Sequence, residues 1–204
     1  MAFAIGVPLP RGRGSETLFS TRGVCRTSRG ALNAILPNLL PLVLTGRPIE
    51  IRYRTELRDT AGNPAHAATF IRRRLIVLDA ELLEDPSEHG RILLHELFHF
   101  LWVRLGNAGR IRWEELMRTE LAARARGEAG WSAEWRKRAL RAGDVKERTK
   151  AWREYCCESF CDTAAWFFGA GEAGGQTEMT LRPRWRRERA VWFSANIEGR
   201  ELRV

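Results

Sequence analysis

Between residues 49 and 57 the chain alternates. Ile49, Ile51, Tyr53, Thr55 and Leu57 stand against Glu50, Arg52, Arg54 and Glu56. A period of two sends each set to its own face, which predicts a half-buried strand. DTAGNP then reads as a turn or loop. TFIRRRLIVLDA predicts a second strand, alternating at first and then fully apolar. Two strands joined this way predict an antiparallel hairpin or meander. Upstream, residues 1–16 are rich in Gly, Pro and Arg and are expected to be loose. A helix is expected within 28–44, kinked or split by Pro37 and Pro41.

The pattern changes at Asp85-Pro86-Ser87-Glu88. Asp85 suits a cap, Pro86 the first helical position, and Glu88 lies three after the cap. The helix so opened should run to about Leu105, with Gly106 stopping it. Ile92, Leu93, Leu94, Leu97, Phe98, Phe100, Leu101, Trp102 and Val103 cover nearly every face, so this helix is expected inside its domain. Further helices are expected over 111–126, 131–141 and 144–168. The last has Asp144 and Glu147 in capping-box spacing and Gly169 at its end. A Gly-rich link, GAGEAGG, follows, and Pro183 opens a final basic, Trp-bearing helix. No internal repeat is visible. The order of helix, strands and helices predicts an α+β plan in a single domain over 1–204, with 170–204 as link and basic helix.

A length of 204 residues suits one domain with a sizeable core. Hydrophobic residues at 44% and charged residues at 29% give a globular balance. The net charge of +9 comes from arginines spread along the chain. Such a surface attracts nucleic acid or acidic proteins. No secretory signal is legible, and the apolar run ALNAILPNLLPLVL is short and broken by prolines. The expectation is a cytoplasmic protein with no membrane partner. Cys25, Cys156, Cys157 and Cys161 are then expected as thiols.

Candidate chemistry lies in LLHELFHFLW. Residues four apart on a helix differ by about 40° in azimuth, so His95 and His99 project from one face. Two imidazoles so placed can share one zinc ion. Glu96 lies too far round to be the natural third ligand and can act as a base beside the metal. Core histidines satisfied by carbonyls are the bland alternative. A catalytic zinc needs a third protein ligand. A histidine at 105 would complete one known extension of this motif, but Leu105 stands there and His66 and His89 both come earlier.

The best third-ligand candidate lies in REYCCESFCDTAAWFF, where Glu158 and Asp162 are four apart on a predicted helix. Glu158 would bind the metal. Asp162 would accept the second N–H of a ligating histidine and so orient its ring. Glu154 and Glu120 are rivals, and a cysteine such as Cys161 would make a His₂Cys site. The cysteines otherwise read as small packed residues, or as a redox switch over the metal.

HELFH followed by Glu-x-x-x-Asp resembles the gluzincin clan of zinc metallopeptidases. Its order of strands and active helix is similar to the very small gluzincins and the bacterial ImmA/IrrE group. The resemblance covers about residues 49–168. It implies a zincin-like fold, with a small, mainly antiparallel sheet on a buried active-site helix and a mostly helical C-terminal half. It also implies one Zn²⁺ held by His95, His99 and Glu158, with Glu96 as acid/base and Asp162 supporting a zinc-bound histidine. Two features depart from the family: the long stretch between His99 and Glu158, and Cys157 where an asparagine usually stands.

The expected reaction is hydrolysis of a peptide or protein substrate by a metal-activated water, with Glu96 as general base. The substrate would lie extended along an edge strand. Tyr155 is a weak candidate for stabilising the developing oxyanion, with Tyr53, His66 and the arginines as alternatives. A second class of function competes: a non-catalytic regulatory protein on the same scaffold, gripping nucleic acid or a protein partner. WRRERAVW would then supply arginines beside tryptophans for that grip.

Overall fold

A computed structural model describes residues 46–59, 62–169, 179–198, 200 and 202–203, with the backbone course of 19–20, 30 and 42–43. The expected loose N-terminus lies outside these residues, as does most of the link after Gly169. So does the helix expected within 28–44, apart from Gly30 and the short strand Leu42–Val43.

The architecture is α+β. Strands β1 (Phe19–Ser20), β3 (Ile49–Arg54), β5 (Leu75–Asp79) and β4 (Ala67–Phe70) form one sheet in that order. β2 (Leu42–Val43) pairs with β6 (Leu202–Arg203) in a second, smaller one. β3 alternates as its sequence predicts, with Ile49 and Ile51 buried and Arg52 and Arg54 exposed.

The main sheet is mixed, not mainly antiparallel. TFIRRRLIVLDA is not one strand. Ile71–Arg73 wind into a 3₁₀ turn and Arg74 takes a left-handed conformation at φ 51°. The chain therefore doubles back, and β4 pairs antiparallel with β5. β5 then inserts beside β3 and runs parallel to it, with Ile51 opposite Ile76 and Tyr53 opposite Leu78. β4 is left as the sheet edge. All of β5 is buried, as a strand packed on both faces should be.

Helix α1 (Pro86–Arg104) follows. Asp85 caps it, its carboxylate accepting from Ser87 N at 3.0 Å and Glu88 N at 3.1 Å. Glu88 does not complete a capping box; it pairs with Arg91. Gly106, at φ +70°, takes the chain straight into α2 (Gly106–Ala122), which starts earlier than the sequence pattern indicates. α3 spans Trp131–Ala139.

The helix expected over 144–168 is two helices, α4 (Ala142–Glu147) and α5 (Lys150–Phe168). Arg148, left-handed at φ 48°, separates them. Asp144 accepts from Arg141 N at 2.7 Å and from Thr149 Oγ1 at 2.6 Å, so it ties the start of α4 to the junction. α6 (Pro183–Asn196) opens on its proline as expected.

α1 packs against α5 on one side and meets the sheet through β4 on the other. Phe98, Phe160, Phe193 and Trp113 fill the space where α1, α2, α5 and α6 converge, with Phe160 and Phe193 ring centroids 5.1 Å apart. Each such aromatic pair adds about 0.5–1.5 kcal/mol beyond the area it buries.

α6 also inserts a charge. Arg189 is fully buried. It bonds Glu120 at 2.7 and 2.8 Å, Glu128 at 2.8 Å and Thr163 at 3.2 Å. Trp185 is buried too, and Trp192 packs on the aromatic cluster. Both tryptophans and Arg189 of WRRERAVW thus pack inward, which leaves Arg186 and Arg187 as its outer arginines. No helix among the described residues is long and apolar enough to cross a membrane.

Candidate metal centre

His95 and Glu96 sit on the third turn of α1 and His99 on the fourth, buried or half-buried. The His95 and His99 rings meet edge to face with centroids 5.0 Å apart. α5 supplies the opposite wall. The helix repeat puts Glu158 and Asp162 on one face, and both reach His95. Nδ1 of His95 lies 2.8 Å from Asp162 Oδ1, and Nε2 lies 3.3 Å from Glu158 Oε2. One imidazole edge is thus held by an acceptor while the other faces a second carboxylate. Glu96 Oε2 lies 4.0 Å from His99 Nε2.

The cysteines gather at the other edge of His99. Cys157 Sγ lies 3.4 Å and Cys161 Sγ 3.5 Å from His99 Nδ1. His95, His99 and Cys161 form a buried group whose donor atoms lie within 4.8 Å of one another, and such a group could hold a metal ion. The described cysteines, Cys156, Cys157 and Cys161, are all free thiols.

Electrostatics follow from this crowding. Burial opposes charge on His95, but Asp162, Glu158 and Glu96 outweigh it and hold its pKa well above the ordinary value. His99 is raised to about 9, against its burial, by Cys157, Glu158 and Glu96. Burial works against the Glu158 anion as well. His95, His99 and Arg136 nevertheless hold its carboxyl well below the usual carboxylate range. Cys157 is lowered to about 6, first by a bond from Cys161 and then, against burial, by His99. Cys161 moves the other way, raised by burial and by Cys157, Glu158 and Asp162. The pocket therefore draws positive charge onto its imidazoles, and a bound cation would meet that demand directly.

A cleft of about 300 Å³ opens onto this cluster. One rim is β4 with the turn after it: Ala67, Ala68, Thr69 and Ile71. The other is α3, through Ser132 and Arg136. Ser132 Oγ donates to Glu158 Oε2, and Arg136 lies 3.3 Å from Glu158 Oε1 while donating to the Ser132 carbonyl at 2.8 Å. Asp162 also accepts from Ala133 N at 3.0 Å. The first turn of α3 thereby clamps both α5 carboxylates. Gly130 makes this approach possible: a Cβ there would stand 2.5 Å from Asp162 Cγ.

The structure brings His95, Glu96, His99, Glu158 and Asp162 together. It does not bring Tyr155 to the cleft. Tyr155 is fully buried beside Met117, and its hydroxyl donates to Glu128 at 2.6 Å. Tyr53 is bonded to His89 at 2.8 Å. Of the arginines, Arg136 lines the cleft. The rival carboxylates are occupied elsewhere, Glu154 with Lys150 at an exposed position and Glu120 with Arg189.

Sequence reasoning missed Ser132, Arg136 and Gly130. Ser132 and Arg136 share the four-residue spacing of Glu158 and Asp162, but a Ser/Arg pair carries no metal or acid–base signature by itself. No family model matches the chain, and no curated protein or solved structure matches it.

Proposed function

We propose that the chain is a zinc-dependent peptidase of the gluzincin kind, with His95, His99 and Glu158 as metal ligands and Glu96 as acid/base. The observation that carries this reading is the two-sided hold on His95, by Asp162 at Nδ1 and Glu158 at Nε2. Tetrahedral zinc with bonds of about 2.0–2.1 Å spaces its donors about 3.3 Å apart. The Nε2–Oε2 separation is 3.3 Å. Glu158 is held ionised and in place, beside His95, Ser132 and Arg136, at the cleft. Two nitrogens and a carboxylate suit zinc over harder ions.

Zinc in this position would supply Lewis acidity toward a peptide carbonyl and an attacking water. The chain's own residues do the rest. Asp162 fixes the tautomer and direction of His95. Ser132 and Arg136 hold Glu158 in place. Glu96 accepts the proton of the attacking water and returns it to the leaving amine. The outer edge of β4, with small Ala67 and Ala68 at the cleft, suits an extended peptide added by main-chain hydrogen bonds.

A second reading rests on the His95–His99–Cys161 group. It would put the metal on the thiol side of His99, away from Glu96 and the cleft, in a structural role. Glu96→Gln separates the two. The peptidase reading expects loss of peptide cleavage with about one zinc retained per chain. Full cleavage by Glu96→Gln would sink it.

A further inference from the structure

Helix α3 presents a second face at the cleft mouth. Trp131 and Trp135, each one residue before a cleft residue, turn outward, 66% and 44% exposed. Their ring centroids are 6.3 Å apart, and the Arg136 guanidinium lies 4.3 Å above the Trp135 ring. The other tryptophans are buried or half-buried. Two adjacent indoles left in water form an apolar patch of the kind that marks a binding surface.

The patch adjoins the cleft through Arg136, which lines the cleft and lies over the Trp135 ring. On the facing rim Ala67 and Ala68 are small and Thr69 is engaged with Glu96 O at 3.5 Å, with Ile71 at its end. The larger exposed apolar surface at the mouth is on α3. Arg136 is committed to Glu158, Ser132 and the Trp135 ring, so the shelf offers flat apolar surface in place of a free cation.

Resting on the peptidase reading above, we propose that Trp131 and Trp135 form a specificity subsite for a bulky apolar or aromatic side chain. That side chain would belong to a peptide lying in the cleft. The residue flanking the scissile bond would stack on the indoles while its backbone lies along β4.

The test is digestion of a mixed peptide library by the zinc-loaded protein, read by mass spectrometry. Cut sites with Phe, Tyr or Leu beside the scissile bond should be enriched about tenfold over those with Ala or Ser. Trp131→Ala should erase that enrichment, and Trp131→Phe should keep most of it. Trp131 is the cleaner position because Arg136 stacks on Trp135 alone. Unchanged enrichment in Trp131→Ala would overturn the subsite and leave the peptidase standing, as would an equal loss of cleavage at all sites. No cleavage by the zinc-loaded parent would overturn the peptidase reading itself, and the subsite with it.

Discussion

His95 Nδ1 and Asp162 Oδ1 lie 2.8 Å apart, and the other Asp162 oxygen accepts from Ala133 N, so one carboxylate aligns both a candidate ligand and the first turn of α3. Asp162→Asn should weaken zinc binding by about 10–100-fold. Gly130→Ala should do the same although glycine carries no chemistry, because its new Cβ displaces the Asp162 carboxylate. Competition against a chromophoric chelator measures both, with circular dichroism to confirm the fold. Tight binding in Gly130→Ala would show that Asp162 is not needed where it stands.

The two donor sets make opposite forecasts. Under the carboxylate set, Glu158→Ala should lose zinc and Cys161→Ser should keep about one ion per chain. Elemental analysis of the two proteins side by side decides. Loss in Cys161→Ser alone would move the ligand to the thiol.

Arg189 holds two buried carboxylates on a helix far along the chain from either. Replacing it by methionine leaves Glu120 and Glu128 buried beside an uncharged side chain. Removal of one partner from a buried ionic group costs about 3–5 kcal/mol. Urea unfolding of Arg189→Met should report a loss of that size. A change within experimental scatter would mean that water reaches the pair.

Glu128 gives the acid side of the stability curve. Burial disfavours its anion, but Arg189, Lys137 and Tyr155 hold its pKa below the ordinary 4.5. A depressed pKa in the folded chain means fewer protons bound there than in the unfolded chain. The stabilisation is present above pH 4.5 and is lost as pH falls through the depressed value. Unfolding free energy should therefore drop as pH falls below 4.5 and on through the depressed value, and Glu128→Gln should drop less steeply from a lower start.

The candidate site was more legible than the sheet. The α1 pattern spoke through three independent signals: the Asp85 cap, the apolar faces and Gly106. The four-residue spacing of Glu158 and Asp162 then carried over to space, because a helix converts sequence interval into direction. Strand direction has no such local code. The reversal inside TFIRRRLIVLDA rests on Arg74 at positive φ, a conformation that an arginine does not advertise. The break at Arg148 was hidden in the same way, within a stretch whose helical signals run straight through it. Tyr155 was misread because helical spacing gives a face but not the neighbour that claims it; Glu128, from a loop, was that neighbour.

The Arg189 contacts have a consequence for the order of events at synthesis. Glu128 lies two residues before Gly130, and its carbonyl accepts from Thr180 N and Leu181 N, just ahead of α6. A nascent chain that has not yet delivered α6 from the ribosome carries Glu120 and Glu128 with no guanidinium to close on, and the loop that seats Gly130 against Asp162 keeps Lys137 and Tyr155 on Glu128 but lacks Arg189. The candidate metal site is thus tied to the last helix described, through Glu128 and Gly130. An unfinished chain would carry every residue of HELFH and still lack part of the scaffold behind Asp162.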